Sequence, residues 1–299
     1  MKRLKNKVAM VFGAGPNIGG TVAHFLAREG ARLVVVDIDQ ANADKTVEFL
    51  HSKGSEAIAF TADSAREDQV AHVVAESLKH YGQIDIVFNA SGKIHWSPVT
   101  EMDVAKWQEC LMSYSTAGML TTKHAARAMI AAGRRGSIIH LLSTAAHFGE
   151  ASGAAYTAAK GALLNFSRSA AMDLAHNGIR VNTITPCGME HNLWGQMRDE
   201  IVDPNFRRPE RRSFYSRDDF LKSIPLERFP RASDIAWAAV FLASEESSFI
   251  TGADIPVDGG LRFKYPAWRP GDSTGVNIKD YAKELRITRF GEEGEKLLP

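Results

Sequence analysis

Three side chains in the middle of the chain have the types and spacing for proton chemistry: Ser143, Tyr156 and Lys160. Tyr156-Thr-Ala-Ala-Lys160 sets a phenol and an ammonium four residues apart. On a helix that spacing puts both on one face, about 6 Å apart along the axis. A free phenol titrates near pH 10, so acting as a base near pH 7 requires lowering it by roughly three units, or ~4 kcal/mol. One ammonium at ~6 Å and an effective dielectric of ~20 contributes about 3 kcal/mol of that. Ser143, earlier in the chain, can hydrogen-bond an oxygen and hold it beside the phenol. The trio fits removal of a hydroxyl proton. An isolated Tyr-x-x-x-Lys pair also arises as an ordinary exposed helical pair, so the surrounding elements decide.

Those elements alternate. Apolar, β-rich runs at 8–12, 33–36, 57–60, 84–88, 138–142, 179–184 and 253–257 read as strands with little polar alternation. Between them, Ile18, Val22, Phe25 and Leu26, then Ala43, Val47 and Leu50, then Val70, Val73, Val74 and Leu78 recur at helical spacing. Gly30, Gly54 and Gly82 sit where these helices should stop. Further helices are expected around 107–129, 154–175 and 234–243. Buried strands separated by helices imply an α/β protein with a doubly wound, mostly parallel sheet, a Rossmann fold. Ser143 then falls at the end of the fifth strand, on the edge where such sheets gather their sites. We expect one domain over 1–262 with a lid insertion at about 187–229. A C-terminal extension at 263–299 follows, in which Tyr281, Leu285 and Ile287 mark a short helix.

The first strand–helix turn reads Gly13-Ala-Gly-Pro-Asn-Ile-Gly19, and Asp37 ends the second strand. Glycines let a backbone approach a pyrophosphate, and a helix N-terminus supplies unpaired N–H groups. A carboxylate after the second strand accepts ribose hydroxyls and repels a 2′-phosphate, which favours NAD over NADP. The positive charge of an oxidised nicotinamide would supply the rest of the shift that Tyr156 needs. Composition agrees with a globular small-molecule enzyme. There are 36 Lys+Arg against 35 Asp+Glu, too balanced for nucleic acid or a membrane surface. Two cysteines are too few for a disulfide framework or a zinc site, and the ten histidines show no metal-ligand spacing. No signal peptide or membrane span is read, so a soluble cytoplasmic protein is expected.

These residues resemble the short-chain dehydrogenases/reductases over about residues 4–261. In that family the turn reads Thr-Gly-x-x-x-Gly-x-Gly; here Phe12 stands for the Thr and Asn17 for the middle Gly. A basic residue near that glycine, or after strand two, favours NADP there, and this chain has Pro16 and Asp37. The resemblance implies cofactor contacts from Gly13, Asn17, Ile18, Gly19, Asp37, Asp63, Ser64, Asn89, Tyr156, Lys160, Pro186 and Met189. It implies catalysis by Ser143, Tyr156 and Lys160, the last also anchoring ribose. Asn89-Ala-Ser-Gly92 is similar to the family's Asn-Asn-Ala-Gly motif, and Thr251-Gly252 and Val257-Asp-Gly-Gly260 to its closing strand. A homo-oligomer, dimer or tetramer, is implied too.

Two departures stand out. Aligning Trp107 with the family's Trp puts Tyr114 where a catalytic Asn belongs, either filling space or offering its hydroxyl to the proton relay. Cys187 follows Pro186 where the family has Gly, and reads as a small buried hydrophobe. Substrate contacts are expected from His95, Trp96, Phe148, Trp194 and Ser143, with Lys93, Ala145, His147, Met189, Leu193 and Met197 as further candidates. For His95 and His147 a packing or surface role is preferred. The apolar set suggests a hydrophobic secondary alcohol or ketone, cyclic or aromatic. Arg207, Arg208, Arg211 and Arg212 admit an anion grip, but a solvated charge run or subunit contact is preferred. The leading expectation is an NAD-dependent alcohol–ketone oxidoreductase. The alternatives are an NADPH-dependent carbonyl reductase and a non-catalytic dinucleotide-binding sensor or scaffold.

Overall fold

Every residue of β1 (Val8–Phe12) is buried, as a strand covered on both faces requires. It is paired on one side with β2 (Arg32–Asp37) and on the other with β4 (Ile86–Asn89). The computed structural model describes residues 2–15, 17–189 and 217–264. Seven strands line up in the order β3-β2-β1-β4-β5-β6-β7, all neighbours parallel, with β3 at Ala57–Thr61, β5 at Gly136–Leu141, β6 at Ile179–Pro186 and β7 at Asp254–Val257. The order reverses between β1 and β4, which opens a crevice at the C-terminal ends of the strands.

Alternate residues feed two cores. Ala9, Val11, Leu33, Val35, Phe88 and Ile139 share one with α1 (Ile18–Arg28) and α8 (Ala232–Ala243). Met10, Phe12, Val34, Val36, Val87 and Ile138 share the other with α3 (Glu67–Tyr81), α5 (Ala117–Ala131) and α6 (Ala154–Leu174). The α2 helix (Gln40–Ser52) covers β2 and β3. The expected parallel α/β fold is therefore present.

Two expectations need correction. The fourth strand begins two residues later than its apolar run, because Asp85 is used as a clasp. Its carboxylate accepts from Val8 N at 2.8 Å and from Arg134 Nη2 at 2.7 Å. The long helix expected at 107–129 is α4 (Val104–Leu111) and α5 joined by one π-helical turn, Met112–Thr116. Such a turn carries one extra residue and re-aims the side chains that follow it. Within the expected lid, 217–229 holds the short α7 (Arg217–Lys222), and Ile224 is buried. Trp194, Leu193, Met197, Arg207, Arg208, Arg211 and Arg212 lie outside the described residues, as does the extension beyond 264, with Tyr281, Leu285 and Ile287.

Candidate active site

The parallel register brings the ends of β1, β2, β4, β5 and β6 to one edge. At β1 the chain turns through Gly13, whose φ of +70° suits glycine. A Cβ there would stand 2.8 Å from Ser91 N. At Gly19 it would stand 2.0 Å from Gly13 O, and at Gly20 2.6 Å from Gly15 O. The glycine motif at 13–19 does not call for Gly20, although the Gly19-Gly20 pair stands in the sequence. Asn17 caps α1 by accepting from Gly19 N at 2.9 Å. Thr46 Oγ1 donates to Ala14 O at 2.7 Å and holds the turn from α2. Ile18 is half-buried on the first turn of the helix.

Asp37 closes this cradle. Its Oδ2 accepts from Gly15 N at 2.8 Å and its Oδ1 from Asp39 N at 3.0 Å. Burial pushes its carboxyl above the usual range; bonds from Asp39, Gly15 and Asn42 oppose this in part. A carboxylate has about four acceptor positions, so capacity for one more hydroxyl remains. Asp63 Oδ1 accepts from Ala65 N beside buried Ser64. Asn89, buried at the end of β4, accepts from Ser91 N at 3.0 Å and shapes the next turn.

Tyr156 and Lys160 lie together on α6, and the turn that Ser143 opens packs against that helix. Lys160 is 3% exposed, and its Nζ donates to Leu141 O at 2.6 Å, at the end of β5. The same nitrogen lies 5.8 Å from the centre of the Tyr156 ring. Loss of hydration lowers the Lys160 ammonium to about 7. Ser143 opens a turn, Thr144–Ala146, that packs on α6; its Oγ accepts from Ala145 N at 3.2 Å, leaving the O–H to donate. Trp96 stands 6.1 Å from the Tyr156 ring and walls one side.

Other candidates are placed differently. His95 Nε2 is 2.6 Å from Glu109 Oε2, and Lys93 Nζ takes the other oxygen of that carboxylate. His147 Nε2 is 2.9 Å from Asp254 Oδ2 in a cluster with Arg262. Phe148 is 49% exposed, Ala145 is buried, and Met189 packs at the rim of one core. Pro186 ends β6 in the interior. Next to it the Cys187 thiol is pushed up to about 12 by burial and by Asp258, so it stays protonated, as a packing residue would. Among the described residues no group of three or more His, Cys, Asp or Glu is placed to hold a metal ion.

A family profile described as enoyl-(acyl carrier protein) reductase matches residues 13–262. The 2-(S)-hydroxypropyl-CoM dehydrogenase 3 of Xanthobacter autotrophicus is 32% identical over 87% of this chain and 98% of its own length. A cis-4-hydroxycyclohexanecarboxylate dehydrogenase of Sinomonas cyclohexanicum is 34% identical over 85% of this chain and 96% of its own. A solved structure described as a short-chain dehydrogenase/reductase from Burkholderia xenovorans superposes with a TM-score of 0.75 at 28% identity, covering 89% of this chain and all of that one. The chain belongs to the short-chain dehydrogenase/reductase family.

Against that family's pattern, Tyr114 is the departure with visible structural consequences. It sits on the π-helical turn, 7% exposed, with its ring 5.3 Å from that of Tyr156. Lys160 Nζ lies 4.2 Å from the Tyr114 ring centre. The ring rests on Gly92, where a Cβ would come within 1.7 Å of Tyr114 Cε1. Ser115 Oγ donates to Ala159 O at 2.9 Å and fixes the turn against α6. Tyr114 was flagged by its position in the chain, but its contact with Gly92 had no local signal.

Proposed function

We propose that the protein is an NAD-dependent oxidoreductase interconverting a secondary alcohol and a ketone on a hydrophobic, cyclic or aromatic, substrate. The observation carrying this is the buried Lys160 ammonium 5.8 Å from the Tyr156 ring and bonded to the end of the strand that leads into Ser143. In the oxidising direction the Tyr156 oxygen takes the hydroxyl proton, and in reduction it returns one. Lys160 lowers the phenol by its charge, and Ser143 donates to the substrate oxygen to hold it beside Tyr156.

The glycine cradle fits a dinucleotide, since side chains at 13, 19 and 20 would collide with backbone. Gly13, Asn17, Ile18 and Gly19 would hold the pyrophosphate, and Asp37 the adenosine ribose. Asp63 and Ser64 would meet the adenine, Asn89 would set the adjoining turn, Pro186 and Met189 would flank the nicotinamide, and Lys160 would reach its ribose. When bound, the nicotinamide supplies or accepts the hydride. Asp37 would face a 2′-phosphate with a like charge, which supports NAD. Both relatives are named as dehydrogenases of hydroxylated compounds, one of a hydroxycyclohexane, which supports a C–OH/C=O pair over the C=C pair in the family profile's description.

Tyr156→Phe tests the assignment. With cyclic secondary alcohols and NAD, turnover followed by reduced-nicotinamide absorbance should fall about 10²–10⁴-fold, with NAD binding retained. Parent-like turnover in that variant would remove Tyr156 as the acid/base.

A further inference from the structure

Lys160 is a buried cation, and among the described residues no carboxylate is paired with it. Among the described residues the groups that face it are the Cys110 thiol of α4, the His140 imidazole of β5, and the Tyr114 and Tyr156 rings. Burial raises the Cys110 thiol, so it stays neutral. Burial, then the Lys160 charge, pushes His140 down to about 3, so it is neutral too. Among the described residues no carboxylate contributes to the Lys160 shift. One carbonyl, Leu141 O, accepts from its nitrogen. An ammonium stripped of water and given so little in return should tend towards the amine. The electron-rich face of an aromatic ring attracts a cation within ~6 Å of its centre, and more strongly where water is excluded.

The ring of Tyr114 offers that face at 4.2 Å. It is held there: the π-helical turn aims it, Ser115 locks the turn to α6, and the ring lies against the Gly92 backbone. Gly92 has a φ of +155°, outside the range a side chain accepts readily, so glycine both adopts this backbone and leaves room for the ring. An amide at position 114, which the family resemblance would place there, has no such face.

We propose that the aromatic face of Tyr114, rather than its hydroxyl, keeps Lys160 charged beside Tyr156, making Tyr114 a positioning residue for the proton transfer. The proposal rests on the roles given above to Tyr156 and Lys160. Removing the ring leaves Lys160 neutral over more of the pH range, so it lowers Tyr156 less. The acid limb of alcohol oxidation then moves to higher pH.

Three variants separate face from hydroxyl. Tyr114→Phe should keep the acid-limb midpoint of kcat/KM and stay within about twofold of the parent. Tyr114→Leu and Tyr114→Asn should move that midpoint up by about one pH unit, with activity recovering at alkaline pH. A second reading uses cofactor-free protein with 13C at the lysine ε-carbons, the Lys160 resonance being assigned by its loss in Lys160→Ala. Its titration midpoint should fall by about one unit in the Leu and Asn variants and stay in place in Phe. Should Leu and Asn not fold, Tyr114→Met replaces them. A Phe variant that shifts like Leu would hand the role to the hydroxyl and overturn the proposal. Unshifted midpoints in the ring-free variants would overturn it as well. The amine titration needs no turnover, so it stands or falls separately from the Tyr156→Phe result.

Discussion

At Asp37 one carboxylate fastens the glycine turn through Gly15 N, and under the proposed function it would also hold a ribose. Burial raises its carboxyl, and the bonds from Asp39, Gly15 and Asn42 offset that in part. Asp37→Ala should therefore do two things together. It should relax the preference for NAD over NADP, bringing the kcat/KM ratio down by at least about tenfold. It should also raise KM for both cofactors, because the turn loses its anchor. Kinetics with each cofactor in turn checks this, and an unchanged ratio would count against NAD specificity set at this residue. Lys160 shows the same economy, since one nitrogen ties α6 to β5 and charges the neighbourhood of Tyr156.

At the scale of elements, the π-helical turn and Gly92 form a matched pair, and disturbing one should be felt at the other. Gly92→Ala forces a methyl into the Tyr114 ring and an L side chain into an unfavourable backbone region, at a cost of about 2–4 kcal/mol of stability. Combining it with Tyr114→Ala should recover part of the loss, and the remainder measures backbone strain. Urea unfolding of the two single variants and the double variant reads both terms. This pairing also marks where sequence reading stops. The strands and the glycine turn were legible because burial on both sheet faces leaves continuous apolar runs, and because a tight approach admits only glycine. Tyr156 and Lys160 were legible because helical spacing puts them on one face. The inserted residue in the π turn leaves no mark in composition, so Met112–Thr116 was read as plain helix. His95 stands among the pocket candidates, with a packing or surface role preferred, and its pairing with Glu109 has no local signal because Glu109 lies on a different element; Asp85 hides within an apolar run whose edge it defines.

For the whole molecule, one strong clasp lies across the sheet from the candidate site. The candidate site lies at the C-terminal edge of the strands, whereas Asp85 clasps Val8 and Arg134 at the opposite edge. Asp85→Ala leaves a buried N–H without its acceptor and releases Arg134, so unfolding free energy should fall by about 2–4 kcal/mol. KM for dinucleotide should stay as it was, and urea melts alongside steady-state kinetics would show the two properties move independently. The same order of strands has a consequence for the nascent chain. β1 is an interior strand, with β2 on one side and β4 on the other. During translation β2 emerges soon after β1, but the other edge of β1 waits for β4, whose last residue is Asn89. At ~5–20 residues per second this is roughly 4–15 s in which a fully apolar strand presents an open row of N–H and C=O groups to the ribosome exit and its chaperones.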